Sequence, residues 1–185
     1  MDEAPHQPHD KLFKQSFGDP ATAAAFLREQ FPEELAKAID WDSLQLESGS
    51  FVDSAFRASE SDLLFSAAIG DSRSYLYLLF EHQRASDPSI ALRLLRYMVR
   101  IWERHQGEAP DEKLPVILPV VLAQNRRRWE IAPHFRALFK LPEHLRGALE
   151  PFLPDFQFRL VQLAELPFDQ IRGTPAGILT LRVMK

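Results

Sequence analysis

From residue 61 to residue 83 the chain carries two short apolar runs, Leu63-Leu64-Phe65 and Tyr75-Leu76-Tyr77-Leu78-Leu79-Phe80, joined through Gly70-Asp71-Ser72. Runs of that length bounded by turn residues predict a β-hairpin. Ahead of it, Leu44, Leu46, Phe51 and Val52 around Gly49 predict a strand with a bend or bulge. Behind it, Ala91, Leu94, Leu95, Met98, Ile101 and Trp102 recur at helical spacing. Asp87-Pro88 opens that helix, predicted over residues 89–106, and Gly107 stops it. The run 114–122 predicts a further strand, with Pro119 marking an edge or a bulge. Shorter helices are expected from an Asp10 cap to Gly18, from Asp19-Pro20 to Phe31, and from Pro32 to about Ile39. The last third predicts a helix within 133–149, a strand around 156–163 and a helix start at Thr174-Pro175.

The order is helix, three strands, helix, strand. An antiparallel hairpin followed by a helical crossover to another strand predicts an α/β fold, a mixed sheet with flanking helices. Residues 1–9, with Pro5 and Pro8 among polar neighbours, read as a disordered lead, and 10–185 as a single domain. Lys185 stands in what reads as the opening of a helix, so the domain reads as shortened at its C-terminus.

Composition narrows the chemistry. The chain has no cysteine, which excludes disulfides, thiolate zinc sites and cysteine nucleophiles, and its six histidines are scattered. It is 45% apolar and 26% charged, with no apolar run near the roughly 20 residues that span a bilayer and no signal pattern, so a cytoplasmic protein is expected. A net charge of -4 argues against indiscriminate coating of nucleic acid but leaves room for a local basic groove.

With Asp71 and Ser72 central to the turn, Ile69 meets Ser74, Leu63 meets Phe80 and Asp62 meets Glu81. Opposed Cβ atoms lie about 4.5 to 5.5 Å apart, where like charges repel unless a cation lies between them. Mg²⁺ is bound through one or two carboxylates together with water and substrate phosphate, which suits a phosphodiester site. The alternative is a pair of solvated strand-end carboxylates. Gln83 shares their face by the period-two rule.

Six segments, taken in order, resemble the recombination-promoting nucleases, a family also named for transposases. They are His9-Asp10-Lys11-Leu12-Phe13-Lys14, Leu46-Glu47-Ser48-Gly49-Ser50-Phe51-Val52, Ser61-Asp62-Leu63-Leu64, Leu79-Phe80-Glu81-His82-Gln83, Arg93-Leu94-Leu95-Arg96-Tyr97-Met98 and Leu114-Pro115-Val116-Ile117-Leu118-Pro119. The resemblance implies the restriction-endonuclease-like αβββαβ core of the PD-(D/E)xK superfamily. It also implies that Asp62 and Glu81 are the metal-binding catalytic positions and that Gln83 occupies the usual lysine position. Magnesium, or manganese, is the implied cofactor, DNA the implied partner, and metal-dependent endonuclease action promoting recombination the implied function. After the predicted fourth strand the family continues with tyrosine and glycine ahead of a tryptophan, where this chain has Gln124-Asn125-Arg126-Arg127-Arg128-Trp129.

Two basic groups complete the expectation. Arg93, Arg96, Arg100 and Arg104 form a stripe along the predicted helix, and with Tyr97 they could follow a phosphate backbone; a solvated helix face is the alternative. Arg126, Arg127 and Arg128 could meet phosphates with Trp129 stacked on a base, or could form an exposed turn whose tryptophan folds inward. A noncatalytic DNA- or protein-interaction module on the same fold stays open as the second function, as does a homo-oligomer.

Overall fold

The computed structural model describes residues 8–47, 63–70, 72–81, 86–124 and 128–185. Helices α1 (Pro8–Phe17), α2 (Pro20–Leu27) and α3 (Glu33–Ala38) lead into strand β1 (Ile39–Leu46). The hairpin β2 (Leu63–Ile69) and β3 (Ser72–Glu81) follows, then α4 (Ile90–Glu108) and β4 (Ile117–Ala123). A one-turn helix α5 (Arg146–Leu149), strand β5 (Arg159–Gln162) and helix α6 (Pro175–Met184) complete the order. The strands form one sheet in sequence order; β1, β2 and β3 are antiparallel neighbours, and β3, β4 and β5 run parallel. The mixed sheet with flanking helices is thus the architecture observed.

Period-two alternation divides the apolar strand positions between two cores. Leu63, Phe65, Val120, Leu122 and Val161 join Phe13, Phe17, Phe26, Leu27, Leu181 and Met184 from α1, α2 and α6. On the opposite face Leu64, Tyr75, Ile117 and Val121 join Leu94, Met98 and Ile101 from α4, together with Trp129, Phe135 and Phe158. No helix among the described residues is long and apolar enough to cross a membrane.

Several boundaries depart from expectation for local reasons. Helix α1 begins at Pro8, so Asp10 lies inside it rather than capping it, and Pro8 and His9 belong to the helix. β1 begins at Ile39 instead of Leu44. Its ladder shifts register between Asp40 and Gln45, where the Ser43 hydroxyl donates to Asp40 O at 2.6 Å and accepts from Ala68 N at 2.9 Å. The bulge therefore falls ahead of Gly49. Helix α4 continues past Gly107 to Glu108. The helix expected within 133–149 is instead two 3-10 turns, Phe135–Leu138 and Glu143–Leu145, followed by α5.

The hairpin register is two positions from the one expected: Leu63 meets Leu78 rather than Phe80, and Ile69 meets Ser72 rather than Ser74. Gly70 adopts φ 59°, the left-handed region open to glycine, and Ile69 pairs directly with Ser72. A shift of two preserves which residues share a face. The direct opposition of Asp62 and Glu81 does not continue from this register, and Asp62 itself lies outside the described residues.

Pro119 sits in an interior strand, not at an edge. Tyr75 N donates to Val116 O at 2.8 Å, so the backbone groups of 116, 118 and 120 face β3 and those of 117, 119 and 121 face the other side. There β5 pairs only from Val120 onward, so no donor is missed at Pro119. Residues 133–135 run antiparallel to 156–158, the stretch that leads into β5. Phe135 N donates to Phe156 O at 2.9 Å, Phe158 N donates to Pro133 O at 3.0 Å, and His134 bridges Gln157.

Two helix caps are joined. Asp19 caps α2, its carboxylate accepting from Thr22 N at 2.9 Å and from Thr22 Oγ1 at 2.8 Å. The Thr22 hydroxyl also meets Thr174 Oγ1 at 2.8 Å, and Thr174 caps α6 through Gly177 N. The Thr22 hydroxyl, then its backbone N–H, hold the Asp19 carboxyl below the usual carboxylate range. Asp19→Ala is expected to cost about 1 kcal/mol at neutral pH. Because the folded pKa is depressed, that contribution is present above the unfolded value of about 3.9 and is lost as pH falls through the folded one. Urea midpoints of the two proteins should therefore differ at pH 7 and converge near pH 2; a constant gap would assign the loss to packing.

Candidate functional site

The parallel half of the sheet brings three strand ends together. Glu81, the last residue of β3, registers with Ala123, the last of β4, and Ala123 registers with Gln162, the last of β5. In open α/β sheets the carboxyl ends of parallel strands are where ligands bind, since the crossover chains part there. The crossover that leaves β3 reaches α4, whose first turn is organised by Asp87. Its carboxylate accepts from Ser89 N at 2.8 Å and from Ser89 Oγ at 2.6 Å.

Of the expected catalytic residues, Glu81 is placed by its backbone at that edge, while Asp62 and Gln83 lie outside the described residues. Among the described residues no three histidine, aspartate or glutamate side chains converge.

The arginine stripe is on α4 and mostly ion-paired. Arg93 lies 3.6 Å from Asp87, Arg100 3.1 Å from Glu103 and Arg104 2.6 Å from Glu108. Arg96 is exposed. The Arg100 and Arg104 pairs are exposed too, and such pairs contribute about 0–1 kcal/mol, so a phosphate can compete for these cations. Tyr97 is 8% exposed, within the core beneath α4. Its place three residues after Leu94 on the inward stripe explains this.

In the second basic group, Arg126 and Arg127 lie outside the described residues. Arg128 is exposed and 3.2 Å from Glu165. Trp129 is 2% exposed, so the inward-folded indole is the arrangement observed. What the sequence reading missed is Gln162. Its Oε1 accepts from Trp129 N at 2.5 Å and its Nε2 donates to Trp129 O at 3.4 Å. The two residues are 33 apart in the chain, and no local pattern joins them.

The family model described as putative transposase, YhgA-like, matches residues 7–185. Recombination-promoting nuclease RpnD of Escherichia coli O157:H7 is 35% identical over 164 residues, covering 89% of this chain and 62% of that protein. Recombination-promoting nuclease RpnC of Escherichia coli (strain K12) is 32% identical over 172 residues, covering 92% of this chain and 55% of that protein. The protein named inactive recombination-promoting nuclease-like protein RpnE, from the same strain, is 34% identical over 164 residues, covering 89% of this chain and 53% of its own length. The chain thus spans less than two thirds of the length of these relatives. No solved structure matches it. The family match takes in both helical layers and every strand of the sheet, and the chain belongs to the YhgA-like putative transposase family, alongside the recombination-promoting nucleases it resembles in sequence.

Proposed function

We propose that this chain is a metal-dependent DNA endonuclease of the PD-(D/E)xK type, acting in the cytoplasm in recombination or in transposase-like cleavage. The observation that carries the reading is Glu81 at the carboxyl end of β3, immediately before the crossover through α4, in a sheet whose three parallel strands end in one row. The names of RpnD and RpnC support it. Asp62 and Glu81 offer only carboxylate oxygens in a chain without cysteine, a donor set suited to Mg²⁺ or Mn²⁺. A metal held there would supply Lewis-acid stabilisation of the scissile phosphate and lower the pKa of a bound water. Gln83 lacks a lysine's charge, and its amide would orient water or a phosphate oxygen. Nicking of supercoiled plasmid in Mg²⁺, abolished by EDTA and by Asp62→Ala, tests the reading; a folded protein without metal-dependent nicking would refute it.

The second reading is a noncatalytic DNA- or protein-interaction module. One similar relative is named inactive, and this chain has Gln83 where the superfamily has lysine.

Both DNA readings engage the α4 stripe. The double variant Arg93→Ala, Arg96→Ala is expected to bind a labelled duplex more weakly and to lower the slope of log affinity against log salt by about 1.8, two phosphate contacts at roughly 0.9 each. Fluorescence anisotropy across a salt series measures both. An unchanged slope in a folded double variant would assign the stripe to solvent.

A further inference from the structure

The antiparallel pairing that leads into β5 changes character farther along the strand. Phe156 with Phe135, Gln157 with His134 and Phe158 with Pro133 are matched through backbone groups. Continuing the same antiparallel steps brings Gln162 to Trp129, and there the partner of the Trp129 backbone is a side chain. A backbone N–H can only donate, so the Gln162 oxygen must face it and the amide nitrogen must face the Trp129 carbonyl. The amide thus makes the two bonds that a neighbouring strand would make.

The Trp129 indole is buried in the core beneath α4, and its N–H has no hydrogen-bond partner among the described residues. Packing and the Gln162 amide therefore hold this residue, and neither is available to its neighbour. Arg128 has a side chain 70% exposed, paired at 3.2 Å with Glu165, itself 45% exposed. An exposed pair of this kind is readily exchanged for another anion. The backbone of the next residue, Trp129, is anchored, whereas the Arg128 guanidinium is held by an exposed pair.

Its location is the second argument. Glu81, Ala123 and Gln162 lie in one row across the sheet, and the Trp129 backbone lies beyond Gln162. Two strand spacings separate Gln162 from Glu81, about 10 Å.

We propose that Gln162 is a positioning residue that holds Arg128 at the carboxyl edge of the sheet as a contact for a DNA backbone phosphate, which displaces Glu165. The inference rests on the DNA-binding part of the function proposed above and not on cleavage.

Affinity for a short labelled duplex is measured in EDTA, across a salt series, for wild type, Arg128→Ala, Gln162→Met, their double variant and Glu165→Gln. Arg128→Ala is expected to weaken binding several-fold and lower the salt slope by about 0.9, the loss of one phosphate contact. Gln162→Met should lower the slope by the same amount, and the double variant should be no weaker than Arg128→Ala. Glu165→Gln should tighten binding. Circular dichroism verifies folding; if Gln162→Met does not fold, Gln162→Glu, which keeps the acceptor for Trp129 N–H and loses the donated bond, replaces it in the cycle. Additive losses at 162 and 128, or an unchanged slope in Arg128→Ala, would overturn the proposal. If wild type nicks DNA and the variants keep its slope, this inference alone fails. If the slopes change as stated and wild type never nicks in Mg²⁺, the nuclease reading alone fails. A wild type that binds no DNA overturns both.

Discussion

Phe17→Ala is expected to lower the unfolding free energy by about 3–5 kcal/mol, a large share of the roughly 5–15 kcal/mol that holds a domain of this size. Phe17 is fully buried where α1, α2 and α6 meet. Its ring stacks on Phe13 at 4.8 Å between centroids and meets Phe26 edge-on at 5.4 Å. Across the junction α6 presents Gly177, where an added Cβ would lie 2.9 Å from the Thr22 methyl and 3.8 Å from the Phe17 ring. The helices approach too closely there for a larger residue on α6 to fill the space that alanine would leave. Urea denaturation, with Phe152→Ala as the control, measures the effect; Phe152 is 83% exposed and its loss should be near zero. A Phe17→Ala cost under about 1 kcal/mol would mean that this helical layer collapses without a cavity, contrary to the packing described.

Asp62→Ala or Glu81→Gln is expected to reduce Mg²⁺-dependent nicking at least about a hundredfold, equivalent to about 2.7 kcal/mol in the barrier. Loss of groups that merely support metal ligands costs 10- to 100-fold, so loss of a ligand should cost no less. The same variants carry a test that does not depend on cutting. Metal bound to the folded form raises the melting temperature by mass action, and removing a carboxylate should remove most of that gain. In EDTA both variants should melt close to wild type, so that the missing gain reports lost metal binding rather than a folding defect. Equal Mg²⁺ stabilisation in wild type and both variants would contradict the assigned metal site. Nicking that survives in both would place the chemistry elsewhere in the chain.

Much of the architecture was legible because its determinants are local. Asp19-Pro20 and Thr174-Pro175 mark helix starts through caps and a proline suited to the first turn, and the structure has α2 and α6 there. The apolar stripe from Ala91 to Ile101 predicts both the helix and its inward face, and Ile90, Leu94, Met98 and Ile101 are buried. From those elements the order αβββαβ and a mixed sheet follow. The helical phase of Tyr97, three residues after Leu94, already placed it on the inward face.

What the sequence alone determined, then, is which segments become helix or strand and which of their faces turn inward, because period, capping and proline act within a turn or two of chain. Tertiary structure alone decided register and partnership. The left-handed backbone of Gly70 shortened the hairpin turn and moved the β2–β3 pairing by two residues without changing faces, so the apolar pattern fits both registers equally well. Pro119 could enter an interior strand only because β5 begins one residue later on the side its missing donor faces. Gln162 meets Trp129 because 33 residues of intervening chain return along β5, and the row of Glu81, Ala123 and Gln162 exists only once three strands lie parallel in one sheet. Contacts of that range depend on where whole elements pack, which no local period encodes.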